Sequence, residues 1–448
     1  MEPQLEKKYG LPMAVAMVVG TVIGSGVFFK AEAVLSATGG NVGLGVLAWG
    51  LAGLVMIVCA NAFATLAGRY GRAGGLVDYA QALVSPRYGY YTGWFLAVIY
   101  YPTLTAVLAW ASARYLCVLL GWDSTGGRAL FLSVLFLCLA FVVNALAPVL
   151  AGRLQTGTAA LKLIPLLLLA AAGTAAGLGS GALRENFIRP PASPSSDGLL
   201  PAVVSVAFAY EGWITAASIS AELRDARRNL PLALTAGSVF IVAVYVCYYV
   251  GLTSAVPASE LMVSGEAAVR SAFERLFGPG TGRAVFALVV VSCLGALNGL
   301  TLANCRGLYA LAVRGEAAPV LAAVNRRTQM PLRSSVLGLL LAFCWLLHYH
   351  GGQAWFGPFG YDTSELPVIT LYALYSPIFF MTMVRERDLG FFRRFLLPLL
   401  SLAACAFMAA ASVLSHGREI LPYLAAFAAV MGLGGLHRRR YGGSRSQK

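Results

Sequence analysis

The stretch Gly20-Thr21-Val22-Ile23-Gly24-Ser25-Gly26-Val27-Phe28-Phe29 lies inside the first apolar segment of the chain. Two glycines flank a serine where a bilayer demands that every backbone N–H and C=O be hydrogen-bonded. A helix weakened there is tolerated only where protein or a wet cavity receives the freed groups. The segment is therefore expected to be discontinuous near mid-membrane, with exposed amides able to hold a small charged ligand. Gly20 and Gly24 also form a small-xxx-small pair, so close helix packing is a competing reading of the same residues.

That membrane setting follows from composition. The 448 residues are 58% hydrophobic and 12% charged, with a mean hydropathy of +0.74. A soluble domain carries roughly twice that charged fraction. Apolar runs of about 18 residues or more, each long enough to cross the hydrocarbon layer, recur from Leu11 to the end. They predict an all-α polytopic membrane protein with twelve transmembrane helices. The first run is long and lacks a small-residue cleavage pattern, so it reads as a span and not as a signal peptide.

The net charge of +14 does not point to nucleic acid. Basic residues fall in alternate loops, at Arg69 and Arg72, Arg224 to Arg228, Arg326 and Arg327, and Arg385 to Arg394. That is the positive-inside pattern, which places both termini in the cytoplasm. Nucleic-acid binding would need the charges on one surface with interleaved aromatics. The eight cysteines lie within or at the ends of apolar spans without CxxC spacing, so no disulfide framework or structural zinc is expected. His348 and His350 are two residues apart and do not share a helix face, which disfavours a metal site.

A second interruption follows in Phe208-Ala209-Tyr210-Glu211-Gly212-Trp213. If the span starts near Leu199, Glu211 lies roughly 18 Å along it, near the midplane. A carboxylate beside a glycine there repeats the design of the first break, although pairing of Glu211 with another buried residue would also account for it. Lys162, nine residues beyond Arg153 and followed by Pro165, lies roughly 13 Å into the membrane. It is read as a buried functional ammonium, with snorkelling towards the cytoplasm as the alternative. Asn298-Gly299 and Asn304 are expected to hydrogen-bond between helices, and residues 259–277 to form an amphipathic segment on the outer surface.

Each break opens a group of five spans, the first group starting inside and the second outside, which is the pattern of an inverted-topology repeat. The expected order is a cytoplasmic tail (1–10), a first five-helix repeat (11–176) and an extracellular loop (177–198). A second, inverted repeat (199–384), two additional helices (385–436) and a basic cytoplasmic tail (437–448) follow.

The segment Thr21-Val22-Ile23-Gly24-Ser25-Gly26-Val27-Phe28 resembles the first-helix signature of the amino acid–polyamine–organocation superfamily. Phe208 to Trp213, Lys162-Leu163-Ile164-Pro165 and Leu297-Asn298-Gly299 together resemble its L-amino-acid transporter branch, particularly bacterial serine/threonine-type exchangers. The resemblance covers roughly residues 8 to 390. It implies a LeuT-type fold of two five-helix inverted repeats with discontinuous first and sixth helices, in a bacterial inner (plasma) membrane. It also implies transport of neutral L-amino acids, with no enzymatic activity and no cofactor or metal.

Carried over residue by residue, the N–H groups of Ser25 and Gly26 would bind the substrate carboxylate, and carbonyls near Ile23, Phe208 and Ala209 its ammonium. The Phe208 ring would gate the site, Glu211 and Gly212 would line it, and Lys162 would stand where sodium sits in sodium-coupled relatives. Gly24 and Asn298 are assigned to pocket or packing. Glu211 replaces the glycine usual in animal members, which leaves its role open. The loop Gly121 to Arg128 has no cysteine for a disulfide-linked heavy subunit.

The expected partners are thus small-molecule L-amino acids and the lipid bilayer. The functional expectation is sodium-independent exchange by alternating access. Proton-coupled symport or facilitation, antiport of cationic amino acids or polyamines, and ligand sensing without flux stay open beside it.

Overall fold

The computed structural model describes residues 10–70, 75–188, 198–214 and 223–441. The tails beyond these limits, and Arg72 and Arg227 among the basic side chains quoted above, lie outside the description. The principal elements are helices: α1 (Leu11–Val22), α2 (Gly26–Ala37), α3 (Val42–Ala67), α4 (Pro86–Leu120), α5 (Gly127–Leu146), α6 (Pro148–Leu161), α7 (Leu163–Ser180) and α8 (Leu199–Ala209). The chain continues with α9 (Ala226–Ala255), α10 (Ala258–Ser264), α11 (Glu266–Phe277), α12 (Pro279–Val313), α13 (Leu332–Phe356), α14 (Leu366–Arg385), α15 (Leu397–His416) and α16 (Ile420–Tyr441).

Among the described residues nine helices are long and apolar enough to cross a membrane, or ten when α1 and α2, bent by 53°, count as one span. The predicted count of twelve differs for two reasons. Helix α8 has only eleven residues, and α15 and α16 form one apolar run, Phe392–Tyr441, through the short turn Gly417–Glu419. Large apolar side chains are half exposed or more along the spans, as at Leu146, Leu399, Leu414 and Leu433. In a multi-pass membrane protein that surface faces hydrocarbon.

Two compact units make up the chain. The first comprises Met1–Val84, Ala160–Val289 and Ile369–Ser415. In it α9 is the central helix, packed on α7, α3 and α1, while α8 packs on α2 and α3. Where α7 meets α9, Gly173 and Gly251 let two backbones touch. A Cβ on Gly173 would strike the Gly251 carbonyl, and one on Gly251 would strike the Leu169 carbonyl. Small residues are what permit such contact between membrane helices.

The amphipathic segment packs its apolar side, Ala268, Val269, Ala272 and Phe273, into this unit against α2, α7 and α9. At the ends of α3 and α14, Arg69 pairs with Glu386 and Asp388, and the Tyr70 hydroxyl donates to Glu386. Burial, and then that hydrogen bond, push the Tyr70 phenol up to about 12.

The second unit comprises Ser85–Ala159, Val290–Val368 and His416–Lys448, with α4, α5 and α13 packed on one another. Helix α4 is π-helical over Leu96–Tyr100 and carries Pro102 just beyond. Proline has no N–H, so the Val98 carbonyl lacks its usual partner four residues on. The Trp345 indole of α13 donates to it at 3.2 Å. The freed group is thus satisfied by a neighbouring helix, as an apolar surround requires.

Candidate functional site

The first unit brings the two predicted breaks together. Helix α1 closes at Val22, and Ile23 turns extended (φ −68°, ψ 109°) while its N–H still reaches Val19 O at 2.9 Å. Gly24 and Ser25 bridge to α2, which restarts at Gly26. The second break begins after Ala209. Tyr210 leaves the helical region (φ −91°, ψ 0°) and Gly212 takes φ +109°, a conformation that disfavours any residue with a Cβ.

Two reciprocal glycine contacts lock the breaks against each other. A Cβ on Gly26 would lie 2.6 Å from Ala209 Cα, and one on Gly212 would lie 2.6 Å from Thr21 O. The start of α2 therefore abuts the end of α8, and the chain after α8 abuts the end of α1.

The resulting electrostatics combine both signs without needing a buried ion. The first N–H groups of α2 have no acceptor within their own helix, and the last carbonyls of α1 and α8 have no donor within theirs. The dipoles make the former attractive to anions and the latter to cations. Ser25 is fully buried, and its Oγ has no hydrogen-bond partner among the described residues. Glu211 is 9% exposed, and its Oε2 accepts the Gly212 N–H at 3.2 Å. Phe208 is buried, with its ring 6.2 Å from that of Phe29 in an edge contact.

Lys162 is 1% exposed and occupies the single-residue interruption between α6 and α7. Pro165 causes that interruption, because it has no N–H to offer Leu161 O. Asn298 belongs to a different cluster, within the second unit. Its amide donates to Ala151 O at 3.0 Å, and its side-chain oxygen accepts from Asn144 at 2.9 Å. Of its two assigned roles, these contacts are the packing one.

Sequence reasoning passed over Tyr245 on α9. Its hydroxyl stands 3.2 Å from Val22 O and 3.3 Å from Ala209 O, so one donor serves the last carbonyls of both broken helices. The ring stacks on Tyr210 at 5.2 Å, and the Tyr210 hydroxyl donates to Trp49 O at 3.0 Å. Trp49 meets both tyrosine rings edge-on. The one available signal was a hydroxyl carried deep into an apolar run. Lys30, a cation one helical turn past the first break, was also passed over.

An all-helical membrane protein whose first and sixth helices are both broken, with the breaks in contact, has the LeuT-type architecture of secondary transporters. The same fold is found in the crystal structure of MhsT in complex with L-phenylalanine, with a TM-score of 0.58 at 16% identity over 88% of this chain and 98% of that one. The chain belongs to the amino acid permease family, whose model matches residues 9–435.

It is similar to the serine/threonine exchanger SteT of Bacillus subtilis (strain 168), at 29% identity over 88% of this chain and 87% of the relative. It is also similar to the human b(0,+)-type amino acid transporter 1, at 27% over 77% and 70%. The protein is an amino-acid transporter, not an enzyme. Tyr245→Phe is expected to slow amino-acid flux in proteoliposomes about tenfold, the scale set by leaving a buried acceptor unsatisfied. A wild-type initial rate would show the hydroxyl to be idle.

Proposed function

We propose that the protein exchanges neutral L-amino acids across a bacterial plasma membrane, without sodium, by alternating access, with both termini in the cytoplasm. The observation that carries this reading is the contact between the two breaks. A zwitterion needs donors for its carboxylate and acceptors for its ammonium, and these breaks supply both. The N–H groups of Ser25 and Gly26 take the carboxylate, carbonyls at Ile23, Phe208 and Ala209 take the ammonium, and the Phe208 ring closes over the substrate. Glu211 and Gly212 line the site. The buried Lys162 supplies a fixed positive charge in place of sodium. Residues 11–176 and 199–384 are the two inverted repeats. The names of the two relatives support amino-acid substrates, and that of SteT supports exchange.

The test is efflux of labelled L-serine from proteoliposomes in sodium-free buffer, with and without unlabelled amino acids outside. Efflux that needs an external neutral amino acid supports exchange. Efflux into empty buffer, or a strict sodium requirement, would overturn it. A proton-coupled cycle is the second reading, favoured by the buried Glu211 carboxylate held to the Gly212 N–H. Its mark would be a pH profile of transport that shifts in Glu211→Gln or Lys162→Ala. Competition by arginine or putrescine but not by serine would point instead to a cationic substrate.

A further inference from the structure

Lys30 is 3% exposed, in the second turn of α2, four residues past Gly26. Residues four apart share a helix face, and the Gly26 face is the one turned to α8. The ammonium accordingly reaches two aromatic rings, 5.4 Å from the centroid of Phe29 and 5.7 Å from that of Phe208. Those rings are themselves in edge contact. A cation within about 6 Å of a ring face is held by the ring's quadrupole, and more strongly when both are out of water. Insertion of a lysine so close to a helix N-terminus runs against the dipole.

We infer that Lys30 is a positioning residue for the Phe208 gate: its ammonium, with the Phe29 edge, holds the Phe208 ring over the two-break site. The inference rests on the reading of Phe208 as the gate. Phe208 hangs from the last turn of α8, where the helix is about to break, so its own backbone constrains the ring weakly. The cation on α2 ties that ring to the partner helix, and retention of a bound substrate then depends on the tie. Acidic residues on the elements packed here are Glu32 on α2, lying against Gly265, Glu260 on α10, paired with Arg275, and Glu266 at the start of α11. Substituting Lys30 alone would alter its relation to these carboxylates as well as to the ring.

The experiment therefore changes the ring and leaves the lysine in place. Mono-, di- and trifluorophenylalanine are incorporated at position 208, and half-saturation and turnover are measured with labelled L-serine in proteoliposomes. Fluorine weakens the ring's attraction for a cation with little change in size. The expected result is a stepwise rise in half-saturation concentration, reaching about 3–10-fold, with turnover within about twofold. Lys30→Arg, which keeps the charge, is expected to stay near wild type.

A flat fluorine series in a protein whose Phe208→Ala variant is impaired would overturn the tie and leave the gate standing. Unchanged transport in Phe208→Ala would remove the gate, and the tie with it.

Discussion

Gly26→Leu is expected to abolish amino-acid binding, with an affinity loss beyond about 100-fold, while the protein stays monodisperse in detergent. The Cβ alone would come within 2.6 Å of Ala209 Cα, a backbone atom that no rotamer change can move aside. Relief requires α2 and α8 to part, which moves the N–H groups of residues 25 and 26 away from the carbonyls opposite. Both halves of the zwitterion site then fail together. Shifts of this size at a binding constellation are known to cost orders of magnitude.

The check is ligand-induced thermal stabilisation, with Gly432→Leu as control, since a Cβ at Gly432 meets nothing within 4 Å. Wild-type stabilisation by L-serine in Gly26→Leu would mean that the pocket lies elsewhere.

The second large effect concerns the scaffold. Gly251→Leu is expected to cut the yield of folded protein severely and to lower the thermal midpoint of what remains. Here too the obstacle is backbone, the carbonyl group of Leu169, with Ala170 Cα 3.1 Å from the new Cβ. Overpacking of a core typically costs about 1–3 kcal/mol and occasionally more. Rigid main chain on both sides puts this case at the upper end or beyond. Gly173→Leu should do the same from the facing helix.

Because either substitution already pries α7 from α9, the double variant should cost clearly less than the sum of the two. Thermal unfolding of the four proteins closes the cycle. Strict additivity would show that the two glycines do not share one contact.

What sequence could reveal here depended on how local its cause was. The breaks at Gly24 and Gly212 were legible because a glycine beside polar groups weakens a helix wherever it sits. Burial of Lys162 and Glu211 followed from their depth along the chain. Tyr245 was not legible: one aromatic among many in an apolar span, it matters only because α9 lies beside the ends of both α1 and α8.

The count of spans among the described residues stops short of twelve at α8, where the break that makes the site ends the helix after eleven residues. The amphipathic segment 259–277 showed its two faces in the sequence, but not that its apolar face turns towards α2, α7 and α9. Asn298 was correctly suspected of bonding between helices, yet only packing could say which helices.

Pro102 and Trp345 illustrate a dependency of another kind. The indole does for Val98 what the helix itself would do if residue 102 were an ordinary amino acid. The two positions are therefore coupled through one carbonyl: a residue with an N–H at position 102 would offer Val98 a donor from its own helix, and the indole would then be spared that task.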